Sequence, residues 1–185
     1  MFCLAQNLRA MHRMEVFASS VFDQHGPADL SQGNWQDDER FVAYLRASWE
    51  EQYADYLGAD AAGHLIARLV RSGALFKHHE PTTLLASIDG RRVGIAALRP
   101  LGELSLVTLL EVVPAYRGRG IGSQLLRAMS SSTRGLVAHV SIHRPRLLDL
   151  YVQTGFAVLQ RSVVDHHGHP LMFDVVARLD RSDRY

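Results

Sequence analysis

Cysteine is almost missing from this chain: Cys3 is the only one in 185 residues. A single thiol excludes an internal disulfide framework and fits a reducing compartment, so the expected location is cytoplasmic. Long apolar runs are missing too. None approaches the ~18–20 residues of a membrane span, and no membrane partner is expected. Excess charge of either sign is also lacking, with 20 Lys and Arg against 19 Asp and Glu and a formal net charge of +1. That balance leaves no electrostatic footprint for nucleic acid or an acidic membrane surface. Any anion bound here must be held by a local site. The start MFCLAQNLRAMHRM is broken by Gln6, Asn7 and Arg9 and makes a poor signal peptide, with Met11 or Met14 as alternative starts.

What is present is ordinary for one globular domain. An apolar share of 47% and this length suffice for a core, and there is no internal repeat or low-complexity linker. Residues 1–13 read as an N-terminal extension, 14–180 as a single domain and 181–185 as a polar tail.

Periodicity assigns the elements. MEVFASSVF, 14–22, has strand-like composition, and His25 to Asn34 is rich in turn formers and reads as loop. A helix is expected from an Asn34 N-cap, with Asp37, Asp38 and Glu39 at its positive end. Phe41, Leu45, Trp49, Gln52, Tyr53 and Tyr56 share one face, and Gly58 stops it. Asp60 can cap a second helix that carries Leu65, Ile66, Leu69 and Val70 inward and ends at Gly73. After KHHEP the pattern changes to strands over 82–88 and 92–98, joined by a tight Asp89-Gly90 turn, and over 103–113. A helix over 121–129, a strand over 136–143, a short helix from Pro145 to about Thr154 and strands over 156–164 and 171–179 follow. The sum is an α/β (α+β) domain with helices on both sides of a mixed sheet.

Between the third strand and its helix lies VVPAYRGRGIGSQLL, Val112 to Leu126, with two arginines and three glycines in six residues. Strand, glycine turn and helix together present free N–H groups at the positive end of a helix. Gly118, Gly120 and Gly122 allow close backbone approach, and Arg117 and Arg119 can fork onto phosphate oxygens. Physically this is a phosphate cradle; the alternative is a helix start with incidental glycines. The turn has no lysine for GxxxxGK[ST], and Ser123 stands where GxGxxG needs its third glycine.

The stretch instead resembles the GNAT superfamily of acyl-CoA-dependent N-acetyltransferases. Arg117 to Gly122 fits that family's [QR]xxGx[GA], Val112 to Tyr116 looks like its VxPxY strand end, and Leu150 to Phe156 matches LYxxxGF. The resemblance covers roughly residues 35–178, with specific motifs only in 109–156. It implies a mostly antiparallel central sheet of about six to seven strands flanked by helices on both faces. It also implies acetyl-CoA as co-substrate. Val112 and Val113 would pair with the pantetheine arm, and the N–H groups of Arg117, Gly118, Arg119, Gly120, Ile121, Gly122 and Ser123 would take the pyrophosphate. Tyr151 occupies the family's acid position, where a phenol protonated at neutral pH can donate to the departing thiolate; the alternative is packing on the sheet. The family's asparagine seven residues before that tyrosine is replaced by Arg144, which either binds a CoA phosphate or faces solvent.

Glu111 stands out on physics alone. A carboxylate inside LLEVV is costly unless it is paired or wet, which suggests that it opens into an acceptor cleft as base or as anchor for a cation. A salt bridge to a helix arginine or an exposed strand face is the alternative. Trp49 and Tyr53, with Tyr56, are either helix packing or a wall of the acceptor pocket. Asp165, His166, His167 and His169 in DHHGHP read as a solvated hairpin turn, and no metal is expected. The leading function is transfer of an acetyl group to a primary amine of a small molecule, peptide or protein. A non-catalytic acyl-CoA sensor on the same fold is the alternative, and a homodimer is compatible with either.

Overall fold

A computed structural model describes residues 27–33, 35–71, 82–166 and 168–179. The expected strand over 14–22, the cap at Asn34, the end of the second helix at Gly73 and the KHHEP breaker lie outside the described residues, as do both chain ends. Seven strands form one sheet: β1 (Asp29–Gln32), β2 (Thr82–Ile88), β3 (Arg91–Leu101), β4 (Leu104–Val112), β5 (Gly135–Ser141), β6 (Ala157–His166) and β7 (His169–Leu179). Their order across the sheet is β1-β2-β3-β4-β5-β7-β6. Every neighbouring pair is antiparallel except β4 and β5. Four helices, α1 (Glu39–Leu57), α2 (Ala59–Arg71), α3 (Ile121–Ser130) and α4 (Pro145–Gln153), complete the fold.

Helix α1 starts four residues later than the Asn34 cap implied. Asp38 has extended backbone angles and its Oδ1 accepts the Phe41 N–H at 3.1 Å, which makes it the N-cap. Gly58, at φ 80°, closes the helix by donating to the Ala54 carbonyl. Helix α2 begins at once, so Asp60 sits in its first turn, where a carboxylate favours the positive helix end. Strand β1 falls inside the segment expected to be loop. Its side chains are mostly exposed, so no apolar alternation marks it, and antiparallel pairing with β2 supplies its order. The β2–β3 turn has positive φ at both Asp89 (50°) and Gly90 (72°), the conformation that matches a two-residue hairpin.

The sheet separates two cores. On one face, Ile121, Leu125, Leu126 and Met129 of α3 and Tyr151 of α4 pack against Val93, Ala96, Val107, Ala138 and Val140. Leu125 and Leu126 are fully buried, each contributing about 1.5–3 kcal/mol. On the other face, Phe41, Leu45, Trp49 and Tyr53 of α1 and Leu65, Ile66 and Leu69 of α2 meet Leu85, Ile95, Ala97 and Leu109. Alternation along β4 therefore sends Leu109 and Glu111 toward α1, and Leu110 and Val112 toward α3.

Candidate active site

The parallel pair at the centre of the sheet separates along its length. Strand β4 pairs with β3 along its whole length, and the Val113 N–H still donates to the Val93 carbonyl at 2.9 Å. Its pairing with β5 covers only Ser105–Val107 against Leu136–Ala138, while β5 continues on β7 to Ser141. Past Val107 a gap opens between β4 and β5. Because Val113 points its backbone groups at β3, alternation aims those of Val112 and Leu110 into the gap.

At the mouth of the gap lies the glycine turn. Pro114–Tyr116 form one 3₁₀ turn, and the Arg117 N–H donates to the Pro114 carbonyl at 3.1 Å. From Gly118 to Ser123 the N–H groups have no backbone acceptor among the described residues, and the Gln124 N–H, bonded to the Gly120 carbonyl, starts the ladder of α3. Gly118 and Gly120 both sit at φ 76°, and a Cβ on either would meet nothing within 4 Å. A row of free donors over open space at a helix N-terminus suits a diphosphate. Gly122 differs from the other two, because a Cβ there would lie 2.9 Å from Leu150 Cδ2; it lets α3 and α4 pack closely. Ile121 is buried in the core and offers the turn only its backbone.

The two arginines do not project from the turn alike. Arg119 lies 5.1 Å over the Tyr116 ring. Arg117 folds back along β4: its Nε donates to the Val112 carbonyl at 2.8 Å, and its Nη2 donates to Tyr44 Oη at 3.2 Å and lies 3.6 Å from Glu111 Oε2.

Glu111 is the buried carboxylate of the site, its side chain 11% exposed. Oε1 accepts from Ser48 Oγ at 3.0 Å, and Oε2 is 3.2 Å from the Tyr44 hydroxyl, whose proton it shares with the Val112 carbonyl. Loss of water pushes its pKa above the ordinary glutamate value. The Ser48 hydrogen bond, the charges of Arg144 and Arg117 and the Tyr44 hydroxyl all pull the other way. The result is a carboxylate with raised proton affinity that polar neighbours still hold ionisable.

Tyr151 is buried against the edge of Phe156, with ring centroids 4.9 Å apart. Helix α4 ends in a Schellman motif: the Phe156 N–H donates to the Tyr151 carbonyl and the Gly155 N–H to that of Val152. Gly155, at φ 93°, supplies the left-handed residue that this ending requires. LYxxxGF is thus one packing unit, with Leu150 on Gly122, Tyr151 on Phe156 and Gly155 as the hinge between them. Burial, and secondarily the charge of Glu111, push the Tyr151 phenol far above its usual range, so it stays protonated.

The structure buries Trp49 and Tyr53 in the α1–α2 core, away from the stripe of α1 that meets Glu111. That stripe is Tyr44, Ser48, Gln52 and Tyr56, one residue per helical turn, of which Tyr44 and Ser48 reach Glu111. Tyr56 Oη lies 2.7 Å from Ser141 Oγ and 2.8 Å from the Met172 carbonyl, and its ring meets His143 edge-on at 4.6 Å. The i, i+4 spacing of these polar residues was the available sequence signal; which acid they would meet is a tertiary fact. At the β6–β7 turn the Asp165 carboxylate accepts the Gly168 N–H at 3.1 Å, well suited to a hairpin reversal. Among the described residues no three His, Cys, Asp or Glu side chains cluster as metal ligands, and no helix is long and apolar enough to cross a membrane.

The model of the acetyltransferase (GNAT) family matches residues 6–156, and the chain belongs to that family. It is an acetyltransferase by family and fold. No curated protein sequence matches it. Among solved structures, a GCN5-related N-acetyltransferase from Rhodopseudomonas palustris is 21% identical with a TM-score of 0.62, covering 84% of this chain and 97% of its own. A phosphinothricin acetyltransferase from Sinorhizobium meliloti, solved with AcCoA, is 18% identical with a TM-score of 0.60, covering 83% and 88%. The apo form of YjaB from Escherichia coli is 24% identical, also with a TM-score of 0.60, covering 80% and 95%. These likenesses establish the shared fold.

Proposed function

We propose that this chain transfers an acetyl group from acetyl-CoA to a primary amine of a small molecule or peptide, by direct attack on the thioester. The observation that carries the reading is Glu111, a buried carboxylate held beside the gap-facing N–H of Val112 at the mouth of the glycine turn. Acetyl-CoA fits the residues present. The free N–H groups of Gly118 to Ser123 suit its pyrophosphate, and the gap-facing N–H of Val112 and backbone groups of Leu110 suit the amides of its arm, the Val112 carbonyl being taken by Arg117 and Tyr44. Two residues named from the motif have smaller parts. The Val113 N–H is spent on Val93 and the Arg117 N–H on Pro114, so neither backbone donor is available to the co-substrate.

Acetyl-CoA supplies the activated acyl carbon. The amine nitrogen bonds to that carbon as the carbon–sulfur bond breaks, giving an amide and the CoA thiolate, which takes the second proton lost by the nitrogen, relayed by water, and leaves as the thiol. Glu111 takes the ammonium proton, directly or through one water, and its raised proton affinity suits it to that task better than an exposed carboxylate. The Val112 N–H points into the gap, where it can stabilise a developing oxyanion. Tyr151 donates a hydrogen bond to the departing sulfur. Its pKa lies above the ~8.5 of an ordinary thiol, so it stabilises charge on sulfur rather than giving up its proton outright.

The test is thiol release from acetyl-CoA across a panel of primary amines, with mass spectrometry of the products. Release dependent on amine, with each product heavier by one acetyl group, is the expected result. Tight acetyl-CoA binding with no release on any amine would establish the non-catalytic sensor instead.

A further inference from the structure

Among the described residues three arginines are half-buried: Arg92, Arg144 and Arg178. Arg92 donates to the Trp35 carbonyl at 3.4 Å and Arg178 to the Thr154 carbonyl at 3.0 Å. Arg144 has no such bond. No acceptor or carboxylate among the described residues lies within hydrogen-bond or ion-pair distance of its guanidinium. The buried acids are already engaged, Asp174 by Arg161 at 2.8 Å and Glu111 by Ser48, Tyr44 and Arg117. A partly desolvated guanidinium with no hydrogen-bonded acceptor, and with Glu111 only as a charge beyond ion-pair distance, carries a cost that a bound acceptor would offset.

The position of Arg144 says where that partner would sit. It follows the end of β5 as N-cap of α4, with its N–H on the Ser141 carbonyl at 2.9 Å and its own carbonyl accepting from Leu147 and Leu148. Ser141, His143 and Tyr56 lock this strand end against α1 and β7. The backbone of Arg144 is therefore fixed at the end of β5, across the gap from β4, near enough for its charge to favour the ionised form of Glu111. Gln52, half-buried on α1 between Ser48 and Tyr56, is also unbonded among the described residues. The cleft thus carries a carboxylate on its β4 side and, on its β5 side, a guanidinium with no hydrogen-bonded partner among the described residues.

We propose that Arg144 anchors the carboxylate of the acceptor, so that the acceptor class is a small amino acid whose amine lies at Glu111 and whose carboxylate lies at Arg144. This rests on the acyl-transfer reading above and deepens it. A forked guanidinium accepts a carboxylate through two parallel N–H groups, which orients the amine as well as holding it. A neutral or dicationic amine would leave Arg144 unpaired, and an added positive charge beside it would be repelled.

The experiment compares matched acceptors: amino acids of several carbon lengths, each against the amine of the same skeleton without the carboxylate. For the unaltered protein, kcat/KM for the best amino acid should exceed that of its amine by roughly 10- to 100-fold, the worth of a hydrogen bond to a charged group. Arg144→Gln should collapse that ratio toward one by raising the acceptor KM, and Arg144→Lys should restore part of it. A ratio near one in the unaltered protein overturns the proposal. So does an Arg144→Gln variant whose acetyl-CoA KM rises equally with every acceptor, which would make Arg144 a ligand of a CoA phosphate. Calorimetric binding of the same pairs in the presence of CoA reads the anchor without turnover. Amino-acid binding that depends on Arg144 but gives no thiol release with any acceptor would sink the acyl-transfer reading and keep the anchor. Release with amines but no preference for amino acids would do the reverse.

Discussion

In the proposed reaction Glu111 is the base, and its surroundings give a signed pH dependence. Desolvation raises its pKa, so the acidic limb of kcat/KM should lie above the ordinary glutamate value, with activity falling as the pH drops through it. Ser48→Ala removes a hydrogen bond that favours the charged form, and the limb should move to higher pH. Glu111→Gln should lose the limb and about 10²–10⁴ of the rate; a normal rate across pH would remove Glu111 as base. The same shift weakens the fold as pH rises from the ordinary glutamate value through the raised one, because the native state holds its proton more tightly there. Urea unfolding of Glu111→Gln should lack that slope. Tyr151→Phe fills the same space and keeps the edge contact with Phe156. It should lower kcat about 10- to 100-fold with the acetyl-CoA KM within about twofold, and an unchanged kcat would take Tyr151 out of the mechanism.

At the scale of elements, three glycines that look alike in RGRGIG do two jobs. Gly118 and Gly120 are needed for a left-handed backbone over open space, whereas Gly122 is needed because α4 lies against it. Gly120→Ala should therefore weaken acetyl-CoA binding and cost about 1–2 kcal/mol of strain. Gly122→Ala should cost about 1–3 kcal/mol by overpacking Leu150, and Leu150→Ala in the same chain should recover part of it. Chemical denaturation of the two singles and the double variant measures that coupling; a simple sum would refute the contact. The positions of the elements were largely legible, because strand and helix periods differ sharply at 82–98 and 121–129. What escaped was fixed by partners distant in the chain. Asp29–Gln32 has no alternation and becomes a strand only through β2. The apolar face of α1 was readable, but its period cannot say that Tyr44 and Ser48 beside it meet the acid. Glu111 was legible because an acid in an apolar run is locally anomalous, and Arg144 because it stands where the family carries asparagine. That Arg117 turns back onto Val112 could not be read from a motif describing only the turn.

Across the whole molecule, the sheet is two blocks, β1 to β4 and β5-β7-β6, joined edge to edge by three residue pairs, Ser105–Val107 with Leu136–Ala138. Further contact between the blocks comes from Ser105 on Thr133 and Glu103 on Arg134 beside that pairing, from α3 and α4 on one face, and from Tyr56 of α1 reaching β5 and β7 on the other. A co-substrate lying in the gap would add the missing pairing and bind only the assembled pair of blocks. At a concentration 100 times its Kd, acetyl-CoA should stabilise the fold by about 2.7 kcal/mol, which for a chain of this size raises Tm by roughly 5–10 °C. CoA should do nearly as well, since the turn and the strand edge hold parts common to both. Hydrogen exchange should slow at 108–112 and at 118–123, where the gap-facing and turn N–H groups gain acceptors, and stay unchanged in the β6–β7 hairpin. Tyr56→Phe loosens the tie across the sheet and should lower Tm without ligand while leaving most of the ligand-induced rise. A thermal shift absent with both acetyl-CoA and CoA, with exchange unchanged at the glycine turn, would mean that the gap between β4 and β5 is not where the co-substrate binds.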